Sequence, residues 1–127
     1  MRPLPTVLLL LLTFAAGLAI GAPRQVYDEQ VFKAAQAAGK PVMVEIHADW
    51  CGECKMQDRI LARLAEEPAY AVLVRLRVDY DKQKDLVRAF GAKRQSTLVL
   101  FRHGNEVGRV VATTSEKDIK ALLAKAW

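Results

Sequence analysis

Val42-Met43-Val44-Glu45-Ile46-His47-Ala48-Asp49-Trp50-Cys51-Gly52-Glu53-Cys54-Lys55 is an apolar run that stops at a Cys-x-x-Cys pair and gives way to a helical pattern. Val42, Val44 and Ile46 are β-branched and Gly39-Lys40-Pro41 bounds them on the left, so the run reads as a buried strand. From Cys51 to Glu67 there is no proline, and Met56, Ile60, Leu61 and Leu64 recur at helical spacing. A helix is predicted to follow the strand directly. Cys51 and Cys54 are three residues apart, hence on one helical face and within disulfide reach. Cys51 stands where the unpaired N–H groups of the helix point and its dipole is positive, which favours a thiolate. A free cysteine titrates near ~8.5, and such positions in Cys-x-x-Cys pairs bring it toward ~7 or lower. Cys51 is then the attacking sulfur, exposed enough to strike, and Cys54, one turn inside, is the resolving one.

Outward from this corner the chain alternates. Asp28 to Ala38 reads as a first helix, with Asp28 as cap, Val31, Phe32, Ala34, Ala35 and Ala38 as an apolar stripe, and Gly39 as stop. Downstream, Pro68 breaks the helix begun at the cysteines. In Val72 to Val78, Val72, Val74, Leu76 and Val78 alternate with Leu73, Arg75 and Arg77, the period of a strand. Asp81 to Phe90 is a further helix closed by Gly91. Thr97 to Phe101 is a strand, Arg102 to Asn105 a turn, and Glu106 to Val111 its hairpin partner. Ser115 and Asp118 have the spacing of a capping box, with Asp in place of Glu, before a last helix whose Ile119, Leu122 and Leu123 face the core. The order α-β-α-β-α-β-β-α implies an α/β domain with a mixed central sheet and helices on both faces. Residues 22–127 suffice for one modest core.

The start of the chain differs in kind. Met1-Arg2-Pro3 is a short basic region, and Val7 to Ala22 is apolar apart from Thr13 and small residues, short of the about 20 a membrane span needs. Ala19-Ile20-Gly21 offers small residues at the two positions a signal peptidase reads. Residues 1–21 therefore read as a secretory signal peptide or, because Pro23 crowds the alternative site after Ala22, as an uncleaved N-terminal anchor. The expected location is periplasmic or secreted, or tethered to the membrane by that segment. The chain carries 19 basic against 14 acidic residues, a net charge of +5. Lys82, Lys84, Arg88, Lys93, Arg94 and Arg102 are scattered without interleaved aromatics, which excludes nucleic acid as the expected partner. A monomer is expected. Two cysteines in an exported chain could form a structural bridge, but closing a four-residue loop constrains the unfolded chain very little. The spacing favours redox chemistry.

The Trp50-Cys51-Gly52-Glu53-Cys54-Lys55 run on a strand-to-helix corner resembles the thioredoxin family. Gly39-Lys40-Pro41-Val42 before it and Thr97-Leu98-Val99-Leu100-Phe101 after it fall where that fold has strands, so the likeness covers most of Val31 to Trp127. The Ala48-Asp49-Trp50-Cys51 wording is similar to periplasmic reductant domains, such as the C-terminal domain of the bacterial membrane thiol reductase. This resemblance implies a thioredoxin fold and an enzyme, a thiol–disulfide oxidoreductase acting on protein disulfides. Its redox centre would be the Cys51–Cys54 disulfide, with no other cofactor and no metal, recharged by a thiol donor such as a membrane thiol reductase. It further implies that Glu45 corresponds to a buried acid, normally Asp, and Arg75 to its basic neighbour. Trp50 would cover the sulfurs, and the loop Gln95-Ser96-Thr97 would present backbone groups to an extended substrate.

Glu45 lies with Met43 and His47 on the side of the strand opposite Val42, Val44 and Ile46. There it is either a desolvated base for Cys54 or a Glu exposed on a strand face. Arg in place of the usual Lys at 75 would hold the carboxylate more firmly ionised. Glu53 stands where the family's commonest form has Pro; its charge disfavours a thiolate and points to a reductant, with Lys55 opposing it. The main departure is Ser96, where the family carries a cis-proline, and it puts substrate docking in doubt. A non-proline cis bond costs ~2.5–4 kcal/mol, so Ser96 is trans or strained, and Ser96→Pro is expected to raise turnover if Ser96 weakens docking. Without the proline ring the sulfurs are also open to a metal or iron–sulfur cluster, with His47, Ser96 or a second subunit completing the ligands. The competing reading is thus a non-enzymatic module that binds metal or senses redox state.

Overall fold

The computed structural model describes Met1 and residues 23–127, so the signal-segment reading lies, Met1 apart, outside the described residues. The central strand of the sheet is β2, Val42–His47, whose six residues are all buried. Around it run β1 (Gln25–Val26), β3 (Val74–Asp79), β4 (Thr97–Arg102) and β5 (Asn105–Val111), in the order β1-β3-β2-β4-β5. β1 and β2 run parallel to β3, whereas β4 is antiparallel to both β2 and β5. The sheet is therefore mixed, as predicted. Among the described residues four α-helices cover it: α1 (Glu29–Ala37), α2 (Gly52–Ala65), α3 (Lys84–Ala89) and α4 (Glu116–Leu123).

Alternation along β2 sorts the core into two layers. Val42, Val44 and Ile46 pack with Leu76, Val78 and Val99 beneath Ala35 of α1 and Val87 of α3. Met43 packs on the other face with Leu73, Leu98 and Leu100 beneath Leu61 and Leu64 of α2 and Ile119, Leu122 and Leu123 of α4. Both faces are covered. Truncating a residue such as Leu64 or Leu122 to Ala belongs to the class of core changes that costs about 2–5 kcal/mol.

Local chemistry explains where elements start and stop. Asp28 caps α1 by accepting the N–H groups of Gln30 and Val31. Gly39 follows at φ +69°, a left-handed conformation that costs glycine nothing. His103 and Gly104 both have positive φ, as a type I′ hairpin turn requires.

The structure departs from expectation in several details. β1 is too short and exposed to leave a period in the sequence. β3 begins at Val74 because Ala71 and Val72 complete a turn after the single 3₁₀ turn Pro68–Tyr70, leaving Val72 exposed. α3 begins at Lys84 because the Asp79 carboxylate accepts the N–H groups of Asp81 and Lys82, holding that stretch as a turn. On α2, Met56 is 41% exposed and Gln57 is buried in its stead. The Ser115–Asp118 box is half formed: Ser115 Oγ accepts the Asp118 N–H, but the Asp118 carboxylate accepts the Thr113 hydroxyl, and Thr113 Oγ1 accepts the Ser115 N–H. A shorter Asp side chain thus closes the box through a threonine. Among the described residues no helix is long and apolar enough to cross a membrane.

Candidate active site

Where β2 ends, the chain turns at Ala48 to Trp50 and enters α2 with Cys51 as its N-cap residue. Cys51 Sγ accepts the Cys54 N–H at 3.1 Å, so the sulfur occupies the place that a capping oxygen takes in other helices. Cys51 and Cys54 form a disulfide, with their Cα atoms 5.3 Å apart. The expected geometry of one exposed and one sheltered sulfur is not what this oxidised state shows. Both cysteines are 3% exposed and pack with Ala48 and Tyr80. Their difference lies in position on the helix: the cap sulfur faces the open N–H groups, while Cys54 Sγ lies inward, 3.9 Å from the Ile46 carbonyl.

Ser96, on the loop into β4, closes the site from the opposite side. Its peptide bonds are trans and its φ is +61°. The side chain is fully buried, and its Oγ lies 3.0 Å from Cys51 Sγ and 3.2 Å from Cys54 Sγ. In the disulfide neither sulfur carries a proton, so the hydroxyl is the donor, with its one hydrogen shared between them. Its backbone is equally committed: the N–H donates to the Ile46 carbonyl, and the carbonyl accepts from the Ala112 N–H and the Gln57 amide. This corrects two expectations. The backbone groups of Ser96 are spent inside the protein and are not presented to a substrate. Ser96→Pro would need φ near −65° and would delete the bond to Ile46, so it is expected to disrupt the loop and lower turnover.

The other residues on the substrate side divide. Thr97 is buried and its hydroxyl donates to the Arg94 carbonyl at 2.8 Å, so it shapes the loop from within. Gln95 is partly buried, its carbonyl accepting from Arg94 Nε at 3.3 Å. Trp50 immediately precedes Cys51 in the chain. It is 62% exposed, and its indole N–H donates to the Asp81 carboxylate at 2.8 Å. Glu53, in the first turn of α2, is paired with Arg94 at 2.8 Å, which offsets part of its charge at the sulfurs; Lys55 is exposed.

Upstream of the dithiol, β2 carries the buried acid. Glu45 is 4% exposed, which excludes the alternative of a solvated strand residue, and Arg75, 2% exposed, grips it with both ends of its guanidinium, Nε at 2.6 Å and Nη2 at 3.0 Å. Arg75 also donates to Asp58 at 2.7 Å. Arg24 adds a second cation, 3.7 Å from Glu45 and 3.2 Å from Asp58. Burial pushes the Glu45 carboxyl above its ordinary range, and Arg75 and then Arg24 pull it part of the way back. His47 is buried 3.4 Å from Arg24 and 3.6 Å from Asp49. Burial, then Arg77 and Arg24, push it below the usual histidine value, so it is neutral at pH 7.

Sequence reasoning missed Gln57, Asp58, Arg24 and Tyr80. Gln57 and Asp58 lie three and four residues beyond Cys54, one turn along the same helix face, a spacing that would have pointed to them. Arg24 reaches Glu45 from outside any predicted element, with no local signal. Among the described residues no three His, Cys, Asp or Glu side chains converge as a candidate metal site, and Ser96 Oγ stands against both sulfurs.

Comparison with known proteins agrees with this geometry. The family model described as Thioredoxin matches residues 23–125. The thioredoxin of Chlamydia muridarum is 34% identical over 101 residues, covering 80% of this chain and 96% of that protein. Among solved structures, Trxlp from Edwardsiella tarda superposes with a TM-score of 0.75 at 40% identity, covering 79% of this chain and 97% of that one. Malassezia sympodialis thioredoxin superposes with a TM-score of 0.68 at 28% identity, covering 84% and 96%. The chain belongs to the thioredoxin family, and with its Cys51-Gly52-Glu53-Cys54 dithiol at the tip of α2 it is a thiol–disulfide oxidoreductase.

Proposed function

We propose that this oxidoreductase is exported and works as an electron donor, reducing disulfides of proteins in the periplasm or outside the cell. Export rests on the leader-like residues 1–21, which serve either as a cleaved signal or as a tether. Cys51 attacks one sulfur of a substrate disulfide, the substrate S–S bond breaks and its other sulfur leaves as a thiolate, giving a mixed disulfide; Cys54 then attacks Cys51 Sγ, the remaining substrate thiolate leaves, and the Cys51–Cys54 bridge closes. A thiol donor, in this setting a membrane thiol reductase, returns two electrons to the bridge. Glu45 takes the proton from Cys54, a task suited to a carboxyl that burial has raised. Trp50 and Gln95 border the incoming substrate.

The observation that carries the direction of electron flow is Glu53. It places a carboxylate in the first turn of α2, where it opposes the helix dipole and disfavours the thiolate. Arg94 weakens this effect without reversing it. A less stabilised reduced form gives electrons more readily. Equilibration of the Cys51–Cys54 couple with glutathione is expected to give a potential nearer thioredoxin's ~−270 mV than the ~−120 mV of a strong periplasmic oxidant. A value at the oxidising end would overturn the donor reading.

A further inference from the structure

The only polar side chain in contact with both reacting sulfurs among the described residues is the Ser96 hydroxyl, 3.0 Å from Cys51 and 3.2 Å from Cys54. Glu45, by contrast, has both carboxylate oxygens on Arg75. The loop that carries Ser96 is held by three hydrogen bonds, to the Ile46 carbonyl, the Ala112 N–H and the Gln57 amide, and the residue is kept at φ +61°. Most L-residues avoid that conformation, and here it persists because the surrounding bonds over-determine it. Such anchoring fixes the Cβ, leaving the hydroxyl hydrogen free to swing between two acceptors at nearly equal distance.

We propose that Ser96 is a catalytic residue whose hydroxyl donates its hydrogen bond to whichever sulfur carries the negative charge. It serves the Cys51 thiolate before attack and the Cys54 thiolate as the mixed disulfide resolves. This rests on Cys51 as nucleophile and Cys54 as resolving thiol. Electron bookkeeping is unchanged by it: Cys54 sulfur bonds to Cys51 sulfur, the bond from Cys51 to the substrate sulfur breaks, and the substrate leaves as a thiolate that is protonated from solvent. The Ser96 proton is never transferred. It moves only between two acceptors. Because hydrogen bonds to ionised groups are stronger than those to neutral ones, the hydroxyl favours each charged state over the neutral thiol. By stabilising the reduced form, Ser96 also tempers the reducing bias set by Glu53.

The test uses Ser96→Ala and Ser96→Gly together. Glycine accepts φ +61° without strain and alanine does not, so the two differ in stability but share the loss of the hydroxyl. Both are expected to raise the Cys51 pKa, read from the pH dependence of alkylation in the reduced protein, by about one to two units. At pH 6, alkylation of Cys51 then slows by about tenfold or more. Both are also expected to lower the potential of the couple. A Cys51 titration unchanged in both variants overturns the proposal, as does a shift in the alanine variant alone, which would trace the effect to backbone strain. The parent reading is tested separately by Cys51→Ser, whose retained turnover would refute the nucleophile itself.

Discussion

Cys51→Ser is expected to bring disulfide reduction down to the level of the uncatalysed exchange, while Cys54→Ser still attacks but stalls. In the Cys54→Ser protein the Cys51 thiolate forms a mixed disulfide that no second sulfur can resolve, so the substrate remains attached and is released by added thiol. The asymmetry follows from the cap geometry. Cys51 Sγ already accepts the Cys54 N–H and faces the positive end of α2, whereas Cys54 Sγ lies inward near the Ile46 carbonyl. Mass spectrometry after incubation with a disulfide peptide checks both variants. Trapped peptide on Cys54 in the Cys51→Ser protein, at a rate equal to that on Cys51 in the reciprocal variant, would reverse the assignment.

Arg75→Leu is expected to destabilise the protein by about 3–5 kcal/mol at neutral pH, because it strands a buried carboxylate. Among the described residues Glu45 would retain Arg24, at 3.7 Å, as its one paired cation. Burial already raises the folded-state value of Glu45 above its ordinary 4.5. Between those two values the unfolded chain releases its proton while the folded chain keeps it, so stability falls as pH rises through this window and is fully present below it. Removing Arg75 deletes the largest influence holding the carboxyl down, which widens the window upward. The variant should therefore recover much of its loss as pH is lowered toward 4.5. Urea unfolding at pH 7 and pH 5 reads both effects, and a loss under about 1 kcal/mol, or one independent of pH, contradicts them. The double variant Glu45→Leu/Arg75→Leu replaces the pair with apolar groups and is expected to regain most of the stability. If it resolves mixed disulfides slowly even so, the Glu45 carboxyl has a chemical task beyond its structural one.

What the sequence made legible was whatever has a period or a fixed spacing. The β-branched run Val42, Val44 and Ile46 and the Cys-x-x-Cys at its end predicted a strand-to-helix corner, whereas the pairing of Arg75 with Glu45 was implied by the family resemblance. Less legible were features made by contacts across the fold. β1 is two exposed residues whose reason for being a strand is the edge of β3. The Trp50 indole is held by Asp81, thirty-one residues away, which accepts its N–H. Ser96 was read as a missing proline ring and a loss of docking surface. In three dimensions it is a hydroxyl between two sulfurs, its conformation imposed by Ile46, Gln57 and Ala112, which no local pattern could have placed there.

The central claim is that the tip of α2 makes one of two buried sulfurs a thiolate. The pH dependence of alkylation of the fully reduced protein, followed residue by residue, measures it directly. Cys51 is predicted to titrate below the ~8.5 of a free cysteine and to react at pH 7 at least about tenfold faster than Cys54. Equal rates for the two thiols, with inflections at or above that free value, would contradict it.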